Sequence, residues 1–211
     1  MTNQKKKLGA YNQIEIYPNV LKESEFILKI ETLLELTTLN EEDKIEFLNS
    51  IRILSEGNEI YFQHNPMNVI FKLPNNNQIE WAVDLFLWKN QKLKYEIRLG
   101  VPSESLLCGE YPKMLYKEDS INVIEQIMMQ LNIQKVGDIL LFTDESSESN
   151  FINELEGKLS SVNFEFDLAI LPSKMQWKIN EDKYELIEVT KESKRYRSKH
   201  CFMKFNTLKC N

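Results

Sequence analysis

The stretch from Glu59 to Val101 reads EIYFQHNPMNVIFKLPNNNQIEWAVDLFLWKNQKLKYEIRLGV, and its alternation decides the fold class. Side chains of a strand point to opposite faces in turn. From Ile79 to Trp88, the residues Ile79, Trp81, Val83, Leu85 and Leu87 share one face. From Lys92 to Val101, Leu93, Tyr95, Ile97, Leu99 and Val101 do the same. With Lys89-Asn90-Gln91 as the loop, Leu87 faces Leu93, Leu85 faces Tyr95, Val83 faces Ile97 and Trp81 faces Leu99. A slip of one residue would set apolar against polar side chains.

The same logic extends backwards. A loop at Pro74–Gln78 sets Phe71 against Trp81 and Val69 against Val83. A turn at His64–Met67 sets Phe62 against Val69. Pro and Asn suit such turns for backbone reasons. The expectation is a four-stranded antiparallel meander with one apolar face. On its other face Lys72 opposes Glu80, and Asp84 opposes Glu96. The second pair is repulsive, with Arg98 and Lys94 as neighbouring cations.

Upstream, Gln13–Tyr17 is a candidate strand with Ile14 and Ile16 on one face. Val20–Leu36 carries apolar residues at helical spacing: Val20, Phe26, Ile27, Ile30, Leu33 and Leu34. A second helix is expected from Glu41 to Glu56, its stripe formed by Phe47, Leu48, Ile51 and Leu54. Thr38 and Glu41 have the form of a capping box, the acids Glu41, Glu42 and Asp43 suit the positive helix end, and Gly57 is a natural stop. These two helices are expected to form a hairpin covering the meander.

Downstream, residues 102–117 show no period, which marks a packed or a binding loop. Asp119–Asn132 reads as a helix, Asp138–Phe142 as a strand, Ser147–Leu159 as a helix and Phe164–Leu171 as a strand. A hairpin pairs Met175–Ile179 with Tyr184–Val189, and a last strand runs from His200 to Phe205. The fold class is therefore α+β, with a mixed α/β second half. The chain is read as one domain over residues 1–211, divisible into lobes 1–101 and 118–211.

With 211 residues, 42% of them hydrophobic, the chain has the material for a substantial core. No apolar run approaches the roughly 20 residues of a membrane span, and Met1–Ala10 lacks the pattern of a secretory signal. Cys108, Cys201 and Cys210 are odd in number and lack metal spacing, so they read as free thiols in a reducing cytoplasm. The net charge is −6, but Lys191–Asn211 alone carries +6, which leaves −12 on the rest. An acidic body does not suit a broad nucleic-acid surface and fits a basic partner. Lys194, Arg195, Arg197 and Lys199 form the exception, a basic segment able to reach phosphates.

Enzyme signatures are few. There is no phosphate-binding glycine loop, no histidine pair at metal spacing and no nucleophile elbow. Two carboxylate sets remain. Asp84, Glu96 and Arg98 lie on the expected third hairpin; Asp167, Glu188 and Lys191 lie further on. The element order around the first set resembles the PD-(D/E)xK nuclease core. That resemblance implies an Asp and a Glu on adjacent strands holding magnesium, with a Lys two residues on activating water. Arg98 stands where the family has Lys, and an arginine does not readily give up its proton. In the second set Lys191 comes one residue too late. The reading favoured by charge and by the missing motifs is a cytoplasmic, non-catalytic binding protein without a cofactor. It would act as an immunity or anti-defence inhibitor that blocks a basic toxin or nuclease. The nuclease with magnesium is the alternative.

Overall fold

The computed structural model describes residues 11–57, 59–75, 78–88, 95–108, 115–144, 166–175 and 179–199. The chain begins with β1 (Tyr11–Tyr17), α1 (Glu23–Glu35), α2 (Glu41–Ser50), β2 (Arg52–Glu56), β3 (Glu59–Gln63) and β4 (Asn68–Val69). Next come β5 (Trp81–Leu87), β6 (Tyr95–Pro102), the short α3 (Ser103–Leu106), β7 (Leu107–Cys108), β8 (Leu115–Tyr116) and α4 (Glu118–Ile133). It continues with β9 (Ile139–Asp144), β10 (Leu168–Pro172), β11 (Tyr184–Val189) and β12 (Ser193–Ser198). Eight strands form one sheet in the order β11-β12-β10-β9-β1-β6-β5-β4. Every neighbouring pair in it is antiparallel. The fold is α+β, and the sheet joins strands from both expected lobes.

One face of the sheet carries the main core. Ile14, Ile16, Val83, Leu85, Ile97, Leu99, Leu140 and Phe142 pack there with Phe26, Ile30 and Leu33 of α1, Phe47 of α2, and Ile124, Ile127 and Leu131 of α4. Each such side chain contributes roughly 2 kcal/mol by leaving water. The second face holds a smaller apolar cluster of Tyr17, Ile139, Leu141, Phe166, Ala169, Leu171 and Tyr184. The central strands β1, β6 and β9 are thus buried on both faces. Because their sequences are not apolar on both faces, polar side chains are enclosed with them: Gln13, Glu15, Glu96, Arg98 and Thr143.

Several expectations are corrected. The four-stranded meander is not formed. β3 pairs with β2 in a separate two-stranded sheet, so Phe62 lies opposite Ile53 instead of Val69. The two later hairpins keep their faces but slide by two residues: Val69 opposes Trp81, Val83 opposes Leu99 and Leu85 opposes Ile97. A two-residue slide keeps apolar against apolar, so the pattern does not oppose it. Asp84 consequently faces Arg98, and Glu96 faces Phe86.

The second helix stops at Ser50 instead of Glu56, because Ile51 turns extended and Arg52–Glu56 pairs with β3. Gly57 does adopt the left-handed conformation, at φ +60, but in the β2–β3 turn. Asn40, not Thr38, caps α2: its Oδ1 accepts from the Asp43 amide at 2.8 Å. β11 pairs with β12, and residues 176–178 of the expected hairpin of 175–179 with β11 lie outside the described residues. Loop 102–117 contains α3 and the β7–β8 pair. The expected helix 147–159 and the strand 200–205 lie outside the described residues. Cys108 is disulfide-bonded, which overturns its reading as a free thiol; Cys201 and Cys210 lie outside the described residues. Among the described residues no helix is long and apolar enough to cross a membrane.

Candidate functional site

The first candidate is the polar cluster enclosed on the second face. Glu15 on β1 and Arg98 on β6 are register partners. Gln13 on β1 and Thr143 on β9 are partners as well. Alternation then puts Glu15, Tyr17, Glu96, Arg98 and Thr143 on one side of the sheet. Glu15 and Glu96 are both 0% exposed. Buried polar atoms must find partners, and these do. The Glu15 carboxylate accepts from the Tyr17 hydroxyl at 2.6 Å, the Gln13 amide at 2.9 Å and the Thr143 hydroxyl at 3.0 Å. Glu96 accepts from Arg98 Nε at 2.9 Å and from Trp88 Nε1 at 2.8 Å. The second guanidinium nitrogen lies 2.8 Å from Glu96, and the group lies over the Phe86 ring at 4.2 Å.

The electrostatics follow from burial. Enclosure, then the neighbouring Glu96 charge, pushes the Glu15 carboxyl up to about 7. Enclosure also raises Glu96, against the opposing pull of Arg98 and Trp88. Burial and the Glu15 charge hold the Tyr17 phenol well above its usual range.

Of the first expected set, Asp84, Glu96 and Arg98 do share one face of adjacent strands. Asp84 is exposed at the rim, whereas Glu96 is sealed inside and bonded to Arg98 and Trp88. The second set is not brought together. Asp167 precedes β10 and accepts from the Tyr116 hydroxyl at 2.5 Å. Glu188 sits on β11 beside Arg195, with β12 between it and β10. Lys191 is exposed in the turn that follows β11. Among the described residues no group of three or more His, Cys, Asp or Glu side chains is placed to hold a metal.

The basic segment is strand β12 with Lys199 just after it. Arg195 reaches Glu188 at 3.8 Å and the Met129 sulfur at 3.2 Å. Arg197 pairs with Glu125 of α4 and stands 4.0 Å from Glu185. Lys199 donates to the Glu181 carbonyl at 2.6 Å. Lys194 is half-buried opposite Leu171 and Val189.

The second candidate is the outer surface of α1 and α2. Glu23, Glu25, Glu31, Glu35, Glu41, Glu42, Asp43 and Glu46 are all exposed. The two lysines of the same stretch are both engaged, and Lys44 pairs with two of these acids. Lys44 is buried between Glu35 at 3.0 Å and Glu41 at 2.7 Å, and Lys29 donates to the Lys135 carbonyl. Residues 23–46 therefore carry −6, equal to the charge of the whole chain. Leu28 (59% exposed) and Ile45 (57%) are exposed on the same two helices.

Sequence reading missed Glu15, Gln13, Tyr17 and Thr143. A polar residue alternating with Ile14 and Ile16 looks like the wet side of a strand, and only the central place of β1 makes it an interior one. No family model, curated protein or solved structure matches the chain.

Proposed function

We propose that this is a non-catalytic binding protein that docks a basic protein partner on the acidic outer face of α1 and α2, as an immunity or anti-defence inhibitor blocks a basic toxin or nuclease. The observation that carries this reading is the uniform exposure of the acids from Glu23 to Glu46 while Lys44 is drawn inside. Complementary potentials accelerate encounter and exclude wrong partners more than they add raw affinity. Leu28 and Ile45 supply exposed apolar contact area on the same two helices.

The test uses a labelled oligo-arginine peptide as a stand-in for the basic partner. Replacing Glu23, Glu31, Glu42 and Glu46 by Lys should slow association at least about tenfold and flatten its salt dependence. An unchanged association rate in the substituted protein refutes the reading. The nuclease alternative rests on Asp84, Glu96 and Arg98 sharing a face. Magnesium-dependent cleavage of DNA that disappears in Asp84→Asn would establish it instead.

A further inference from the structure

The eight-stranded sheet ends at β11. Among the described residues this strand has β12 on one side and no strand on the other. A free edge presents unpaired amides and carbonyls to any extended segment. The opposite edge, β4, is only two residues long and offers little to pair with. β11 runs for six, Tyr184–Val189.

An irregularity in β11 decides what this edge displays. Leu186 lies opposite Tyr196, Glu188 opposite Arg195 and Val189 opposite Lys194, so Ile187 is the extra residue of a β-bulge. Tyr196 and Lys194 are two apart on β12 and share a face. The bulge therefore brings Leu186 and Val189 to one face, where they are 50% and 59% exposed. Ile187 packs against the main core on the other face. Backbone direction can be followed as well. The Thr190 amide bonds the Ser193 carbonyl, so alternation turns the amide and carbonyl of Val189 outward. Tyr184 lies opposite Ser198, whose amide bonds the Asp167 carbonyl instead of β11. The backbone groups of Tyr184, and of Leu186 two residues on, thus also face outward.

This pattern is complementary to itself. Two copies of β11, antiparallel about a twofold axis between Ile187 and Glu188, set Leu186 opposite Val189 of the second copy, and the axis repeats the contact. Ile187 then meets Glu188, and Glu185 meets Thr190, so no like charges stand directly opposite. The neighbouring register would set Glu185 against Glu188, which is repulsive. Within its own chain Glu188 is already matched by Arg195 at 3.8 Å, and Glu185 by Arg197 at 4.0 Å. The uncompensated charge that keeps many free edges apart is absent from these two positions.

We propose that β11 pairs with β11 of a second copy of this chain, joining the two sheets into one across a twofold axis. Six residues from each copy make a small contact, so the dimer is weak and depends on concentration.

Sedimentation velocity from about 10 μM to about 1 mM spans the affinities of such contacts, and the average mass should rise towards twice that of the monomer. Leu186→Lys should weaken the association at least tenfold, and adding Val189→Glu should restore it, because the derived register sets these two positions against each other. Both positions are half exposed, so the substitutions leave the fold intact. In the wild-type protein, a mixture of isotope-labelled and unlabelled chains should show NMR contacts between Leu186 and Val189 methyl groups of different molecules, which decides the matter if a variant does not fold. A monomer at every concentration overturns the proposal and leaves the edge to an extended segment of another protein. Association that ignores Leu186→Lys, or that Val189→Glu does not restore, overturns it as well.

Discussion

Glu15 and Arg98 stand directly opposite each other across β1 and β6, yet the bonds run elsewhere: Arg98 donates to Glu96 at 2.9 Å, and Glu15 takes the Tyr17 hydroxyl at 2.6 Å. The cross-strand pair that charge alone would select is replaced by a pair two residues apart on one strand. That choice leaves Glu15 with the uncharged Gln13, Tyr17 and Thr143 as hydrogen-bond donors among the described residues, and its carboxyl is pushed up to about 7.

Stability should depend on pH through Glu15. Its carboxyl rises from 4.5 in the unfolded chain to about 7 in the fold. A raised acid means that the folded state binds more protons between those values, so stability is full below about 4.5 and falls as pH climbs to about 7. The size of the shift corresponds to roughly 3 kcal/mol. The raised Glu96 acts in the same direction. Urea unfolding at mildly acid and mildly alkaline pH measures the slope, and Glu15→Gln should flatten most of it.

Removing Arg98 should be severe. Arg98→Met leaves the sealed Glu96 without its cation, which costs on the order of 3–5 kcal/mol. In a chain of this length that is a fall in melting temperature on the order of 10 °C. Arg98→Lys should recover only part, because an ammonium does not reproduce the two-pronged contact. Adding Glu96→Gln to Arg98→Met should restore stability; a further loss in the double variant would contradict the account of the pair.

Two glycines separate a steric from a conformational cost. A Cβ on Gly137 would come within 2.5 Å of Ile16 Cγ2 and 2.9 Å of Leu140 Cδ2, both buried. Overpacking of this kind costs about 1–3 kcal/mol. Gly57 has open space around it but sits at φ +60, so its Ala variant should lose only about 1–2 kcal/mol of backbone energy. Thermal melts of the two variants should rank Gly137→Ala as the more damaging.

Much of the fold was legible. Alternation assigned the faces of β5 and β6 correctly, and helical spacing found α1 and α4 nearly to their ends. Register was not legible, because apolar residues at every second position from Trp81 to Leu87 accept a slide of two residues as readily as none. The end of α2 was missed for a related reason: Ile51 and Leu54 fit a helical stripe as well as they fit the start of a strand. Of the site, Glu96 and Arg98 were singled out from sequence but matched to Asp84. Glu15 stayed hidden because its burial depends on strands β6 and β9 that come far later in the chain.

The disulfide at Cys108 can be checked directly. With Cys108 in a disulfide, protein purified without reductant and then denatured should show one reactive thiol among the three cysteines of the chain. Three reactive thiols would show that the bond does not form.

The central claim is that the acidic face of α1 and α2 is the docking surface. Amide NMR of the protein titrated with oligo-arginine peptide at low and at physiological salt tests it most directly. Shifts should concentrate between Glu23 and Ser50, weaken with salt, and vanish when Glu23, Glu31, Glu42 and Glu46 are replaced by Lys. Shifts that instead centre on the sheet strands, or that persist unchanged after those replacements, would contradict it.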